Sequence, residues 1–108
     1  MKCTAEIAAG VCGFSTTVVA EAEEELVTLT ITTNCEKIQG LAEALRGSPV
    51  DAYDEIHRGH DGAIMTAVRA QLLGCCAGCA VPVGVFKAMQ AAARVALPRD
   101  ISITLRGE

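Results

Sequence analysis

Residues 26–32 read Leu-Val-Thr-Leu-Thr-Ile-Thr, and this stretch constrains the fold more than any other. Val27, Leu29 and Ile31 fall at every second position, with Thr28, Thr30 and Thr32 between them. A period of two sets the aliphatic residues on one face of a strand and the threonines on the other. Residues 15–22 are rich in Thr and Val, side chains that favour extended backbone. Glu21, Glu23, Glu24 and Glu25 separate the two runs and form a solvated tip. The two strands are therefore expected to pair antiparallel across that turn.

Beyond this hairpin the period changes. Asn34 or Thr33 can cap a helix, and Glu36 sits where a negative charge suits the helix dipole. Ile38, Leu41, Ala42 and Leu45 recur at helical spacing until Gly47-Ser48-Pro49 stops them. Residues 51–56 read as a short second helix capped by Ser48 or Asp51, with Asp51, Asp54 and Glu55 on a solvated face. His57-Arg58-Gly59-His60 is a connection. Residues 62–73 read as a third helix, with Ile64, Ala67, Val68 and Leu72 on one side and Gly74 closing it. Pro82 fits the first turn of a fourth helix, whose apolar side runs through Val85, Met89, Ala92, Ala93, Val95 and Ala96. Residues 4–8 alternate weakly as a strand, and residues 101–105, Ile-Ser-Ile-Thr-Leu, alternate without a break as a closing one. The expected fold is α+β: an antiparallel sheet of three to four strands with helices packed on one face, in a single domain over residues 1–108. The core is aliphatic, since Trp is absent and Phe14, Tyr53 and Phe86 are the only aromatic residues.

The formal charge is −4, from 9 basic and 13 acidic residues. Such a chain offers no basic face to phosphates, which argues against a nucleic-acid partner and an anionic membrane surface. No apolar run approaches the ~20 residues of a spanning helix. No leader is visible at residues 1–6, so a cytoplasmic location is expected. Thiols stay reduced there, and six cysteines then point to metal binding or catalysis before disulfides.

The spacing of those cysteines is uneven. Cys75, Cys76 and Cys79 form a local cluster, while Cys12 and Cys35 stand alone in distant segments. Soft thiolates favour zinc and iron–sulfur clusters, and about four close either kind of site. Cys12, Cys35 and Cys79 make the centre of such a set, with Cys75 or Cys76 as the fourth member. Cys12 lies in a loop between Gly10 and Gly13, Cys35 at the first turn of a helix and Cys79 just before another. Helix N-termini stabilise thiolates. The pair Cys76-Ala77-Gly78-Cys79 also fits a thiol–disulfide oxidoreductase, although no βαβ unit surrounds it. Cys3 reads as a small buried residue on the first strand. His57 and His60 read as residues of a solvated loop.

Two resemblances follow from these residues. Gly10-Val11-Cys12-Gly13-Phe14, Asn34-Cys35-Glu36, Cys75 to Cys79 with Val81-Pro82-Val83, Lys87-Ala88 and Ala96-Leu97-Pro98 together resemble a small uncharacterised family found largely in anaerobes. That resemblance covers nearly the whole chain and implies the cysteine pattern without an activity. The layout is also similar to the NifU/IscU-type iron–sulfur assembly scaffold. There a Cys-Gly pair lies between early strands, a second Cys opens a helix after a third strand, and a third Cys precedes a late helix. Cys12-Gly13, Cys35 and Cys79 or Cys76 fall in the same order, and residues 41–56 resemble the scaffold's helix–turn–helix. Phe14 stands where the scaffold has an Asp that helps keep its cluster labile, which favours a held cluster over a transferred one. Cys35 lacks the flanking glycines, Cys79 follows Gly78 where the scaffold has His, and this chain closes with a strand.

The sequence thus predicts a protein that binds an iron–sulfur cluster or a metal, used for electron transfer, sensing or cluster delivery. Structural zinc serving protein–protein contact and dithiol redox chemistry are the alternatives. Its protein partner is unspecified. A homodimer is expected to use an apolar outer sheet face and the Ala-rich last helix.

Overall fold

The computed structural model describes residues 1–74 and 77–108, and the predicted hairpin lies at the middle of a four-stranded antiparallel sheet. Strands β1 (Lys2–Ala8), β2 (Ser15–Glu23), β3 (Leu26–Thr33) and β4 (Val50–Asp51) stand in that order. β2 and β3 pair from Thr16 with Thr33 to Glu23 with Leu26, which leaves Glu24 and Glu25 as a two-residue turn. Glu24 takes φ 58°, the left-handed conformation that tight hairpin turns require and that glycine adopts at lower cost. β1 lies along the other side of β2, with Lys2 opposite Glu21 and Ala8 opposite Ser15.

Alternation decides which face is covered. Thr16, Val18 and Ala20 of β2 and Val27 and Leu29 of β3 are buried, whereas Thr28, Thr30 and Thr32 are exposed. The buried Thr16 hydroxyl is satisfied by that of Thr33 at 2.8 Å. Lys2, Thr4, Glu6 and Glu21 join the exposed threonines. The outer face is therefore polar, and the expectation of an apolar outer face for a dimer is corrected.

Four helices cover the other face: α1 (Glu36–Leu45), α2 (Ala52–Arg58), α3 (Ala63–Gln71) and α4 (Val81–Ala92). α4 lies over β1 and β2, α1 over β3, and α3 packs against α1. Ile38 and Leu41 of α1, Ile64 of α3 and Met89 of α4 are no more than 2% exposed. Burying each such side chain stabilises the fold by roughly 1.5–3 kcal/mol relative to leaving it in water. α4 comes so close to the sheet that a Cβ on Gly84 would lie 2.8 Å from Ile7 Cγ1. Glycine and alanine are what allow that approach.

Several local expectations change. α1 is capped by neither Asn34 nor Thr33; Cys35 is its N-cap residue, without a side-chain hydrogen bond to the helix. Asp51, not Ser48, caps α2 by accepting the Asp54 amide at 3.1 Å. His57 belongs to the last turn of α2, and His60 to a 3-10 turn over Gly59–Asp61. α4 ends at Ala92, short of Val95 and Ala96, and Arg94 then takes φ 65°. The closing strand expected over residues 101–105 does not form. Those residues carry no regular structure, are exposed and pair with no strand of the sheet.

Glu55 departs most from its expectation. It is 2% exposed rather than on a solvated face. Its carboxylate accepts the Ala63 amide at 2.9 Å and the Ile64 amide at 2.7 Å. The N-cap residue of α3 is Gly62, which has no side chain to do this. A carboxylate from α2 thus satisfies two orphan amides of α3 and meets the positive end of its dipole. A Cβ on Gly62 would stand 3.0 Å from either carboxylate oxygen, so glycine also makes room for the cap. Glu55→Ala is expected to lower stability by about 2–3 kcal/mol, as one buried and one part-buried amide lose their acceptor. Glu55→Gln, which keeps one acceptor oxygen, loses roughly half as much. Urea denaturation midpoints of the two variants check both the sign and the ranking.

Candidate functional site

The loop between β1 and β2 presents Cys12. Gly10 (φ 89°) and Gly13 (φ 76°) turn the backbone there, and the Gly13 amide donates to the Gly10 carbonyl at 2.9 Å. The Ala9 amide closes the loop onto the Phe14 carbonyl at 3.1 Å. Cys12 is exposed at the tip, its Sγ 4.0 Å from the Ala9 carbonyl oxygen. Val11 and Phe14 beside it are also exposed.

Cys35 follows β3 at the same end of the sheet. Asn34 Oδ1 accepts the Ser15 amide at 3.1 Å, which ties the end of β3 to the residue where the Cys12 loop rejoins β2. The Cys35 amide donates to Thr33 Oγ1 at 3.1 Å, and Gln39 Nε2 donates to the Thr33 carbonyl at 3.3 Å. Cys35 itself has extended backbone (φ −95°, ψ 122°), as an N-cap residue must. Its thiol is half-buried against the core.

The chain on either side of the local cluster returns to this place. Lys37 Nζ donates to the Leu73 carbonyl at 2.6 Å, so the segment entering residue 75 lies on the first turn of α1. A lysine there is unfavourable to the helix dipole, and its bond to Leu73 is the compensation. Gly74 (φ 79°) turns the chain at that point. On the far side, half-buried Cys79 and Ala80 lead into α4, whose Gly84 rests on Ile7, one residue before β1 ends at Ala8. Three hydrogen-bonded or close contacts, Asn34 with Ser15, Lys37 with Leu73 and Gly84 with Ile7, bring the Cys12 loop, Cys35, Leu73 and the start of the helix that follows Cys79 to one end of the sheet.

Cys75 and Cys76 lie outside the described residues. Among the described residues, no three His, Cys, Asp or Glu side chains stand close enough to hold a metal ion. Cys3 is at the opposite end of β1, paired with Ala20 and half-buried against the core, as a structural thiol would be. His57 and His60 are exposed and remote from the thiols in the chain order of the helical layer. His60 contributes its carbonyl to Arg69 Nη1. The sequence reading missed Lys37, whose signal was a cation two residues after Cys35 in the first turn of a helix. It also missed the Asn34 tether, because Asn34 was read as a cap.

Cys35 is informative by what it displaces. A helix start favours Ser, Thr, Asp or Asn, and a hydroxyl at an N-cap is worth about 0.5–2 kcal/mol over a residue that cannot cap. Cys35→Ser is expected to stabilise the metal-free protein, raising its melting temperature by a few degrees, while removing a thiolate from the site. Thermal melts with and without a chelator check the first effect, and the metal content of the variant checks the second.

No helix among the described residues is long and apolar enough to cross a membrane. No curated protein and no solved structure matches the chain. A family model does match, over residues 3–105, and it takes in every cysteine of the chain: the protein belongs to the family of unknown function DUF6951.

Proposed function

We propose that this chain builds one thiolate-rich metal centre, with Cys12, Cys35, Cys79 and either Cys75 or Cys76 as ligands, and that the centre is an iron–sulfur cluster. The observation that carries the reading is that three separate stretches of chain, the 9–14 loop, the start of α1 and residues 73–74 with 77–84, are held to one end of the sheet. Segments this far apart in sequence converge there by design of the topology, and each brings a cysteine. Four thiolates satisfy either a cluster or zinc.

Three features favour the cluster. The segments are lined by glycines at positive φ, Gly10, Gly13 and Gly74, whose backbone amides can turn toward sulfur and tune a cluster's potential. Cys35 opens α1, and Lys37 brings a positive charge to the same first turn. The order of elements is similar to that of the NifU/IscU-type scaffold: a Cys-Gly loop after β1, a cysteine after β3 and a cysteine before a late helix. A bound cluster would supply a one-electron couple, for electron transfer, sensing or cluster delivery. The chain's own groups would hold it: α1 and α4 fix Cys35 and Cys79, the Gly10–Gly13 turn carries Cys12, and Lys37 holds the 73–74 segment in place. Phe14, in place of the scaffold's Asp, supports retention over transfer.

Anaerobic purification tests the proposal. The expected protein is brown, with iron and acid-labile sulfide in equal amounts. Cys12→Ser, Cys35→Ser and Cys79→Ser each lose most of the iron, as does only one of Cys75→Ser and Cys76→Ser. A colourless protein with one equivalent of zinc, lost in the same variants, would replace the cluster by a structural metal. A metal-free protein with a reversible Cys76–Cys79 disulfide would overturn the metal centre in favour of dithiol chemistry.

A further inference from the structure

Residues 101–105 keep the strict alternation of a half-buried strand, yet Ile101, Ile103 and Leu105 are 52%, 76% and 91% exposed. Among the described residues nothing pairs with this segment. The family model runs through residue 105, so the segment belongs to the sequence the family shares. A row of aliphatic side chains at period two is the pattern of a strand with one covered face.

The sheet has an edge suited to it. β1 pairs only with β2, and its inward Cys3, Ala5 and Ile7 are half-buried, while Val18 and Ala20 beside them are fully buried. The core is therefore open along β1. The opposite edge, β3 beyond Val27, is a poorer match, since α1 lies beside it and sets the charged Glu43 and Arg46 and the polar Gln39 into the groove next to Ile31 and Ala42. The tail's own β1 is reached most directly in the parallel sense. α4 starts against Ile7 and ends beside Met1, so the chain leaving α4 begins where β1 begins. Arg94 at φ 65° and a turn closed by the Arg99 amide on the Leu97 carbonyl, with Pro98 between, then take it elsewhere.

We infer that residues 101–105 of one copy add to the free edge of β1 in a second copy, antiparallel like every other pair in this sheet, and that the exchange is reciprocal. Each sheet gains a fifth strand. Ile101, Ile103 and Leu105 cover Cys3, Ala5 and Ile7, and both exposed edges of β1 disappear in one two-fold dimer. The surface is distinct from the polar outer face and meets the cysteine end of the sheet only at Ile7.

The test is the oligomeric state of the full chain at tens of micromolar, by light scattering and sedimentation equilibrium, under reducing conditions so that no intermolecular disulfide contributes. A dimer is expected. Ile103→Asp and Leu105→Asp, at largely exposed side chains outside the core, are expected to keep the circular dichroism of the fold and weaken dimerisation about tenfold or more. Thr30→Asp, on the outer face, leaves the dimer intact. Cys35→Ser also leaves it intact, which separates this result from the fate of the metal centre. A monomeric wild-type chain overturns the inference. So does a dimer indifferent to both tail substitutions, or a monomer whose tail amides are protected from hydrogen exchange, which would mean a strand added within one chain.

Discussion

Val18, Ala20, Val27 and Leu29 cannot be left in water together, and the threonines between Val27, Leu29 and Ile31 need no cover. One-sided burial of the β2–β3 hairpin is the constraint on which the rest of the molecule depends. It forces all helices into a single layer. Within that layer α1 follows β3 directly, so its N-terminus lies at the β3 exit. α4 crosses β1 and β2 with its N-terminus at Ile7, near the β1 exit. The β1–β2 loop lies at that end too. That the segments carrying Cys12, Cys35 and Cys79 lie toward one end of the sheet, without their side chains forming a metal-ready group among the described residues, is thus a product of strand order and of helix direction. Local motif geometry plays little part in it.

What the sequence disclosed was whatever periodicity and glycine placement could express. The hairpin, the α+β class, the start of α4 at Pro82 and the gathering of cysteines at element ends all follow from neighbours within a few residues. What it concealed depended on contacts across the chain. β4 is two residues long and exists because Val50 and Asp51 meet Val27 and Leu26; nothing in Val50-Asp51-Ala52 signals a strand. Glu55 looked solvated because it sits among Asp51 and Asp54, and its burial is decided by the amides of Ala63 and Ile64, in the next helix. Asn34 looked like a cap, and the Ser15 amide claimed its side chain instead. The tail shows the converse: alternation alone does not make a strand when the segment pairs with no edge.

The cysteine at the start of α1 bears on whether the thiols are merely packing residues. Small buried cysteines pack well, and Cys3 does so against the core. Cys35 occupies a position where a hydroxyl or carboxylate would hold the helix better, and its half-buried sulfur forgoes that advantage. Gly10 and Gly13 likewise shape a tight turn around an exposed thiol, where a loop with no further role would tolerate many side chains. Proteins depart from local stability rules where a site demands it, and these departures occur at the same end of the sheet.

The carboxylate of Glu55 also welds two helices into one mechanical part. α2 has only seven residues and α3 nine, each below the length at which a helix is stable alone. Because a side chain of the first terminates the second, neither can fray without unmaking the other. The segment from Val50 to Gln71 is therefore an all-or-nothing block. It ends three residues short of Gly74, so a rigid buttress stands directly before that turn.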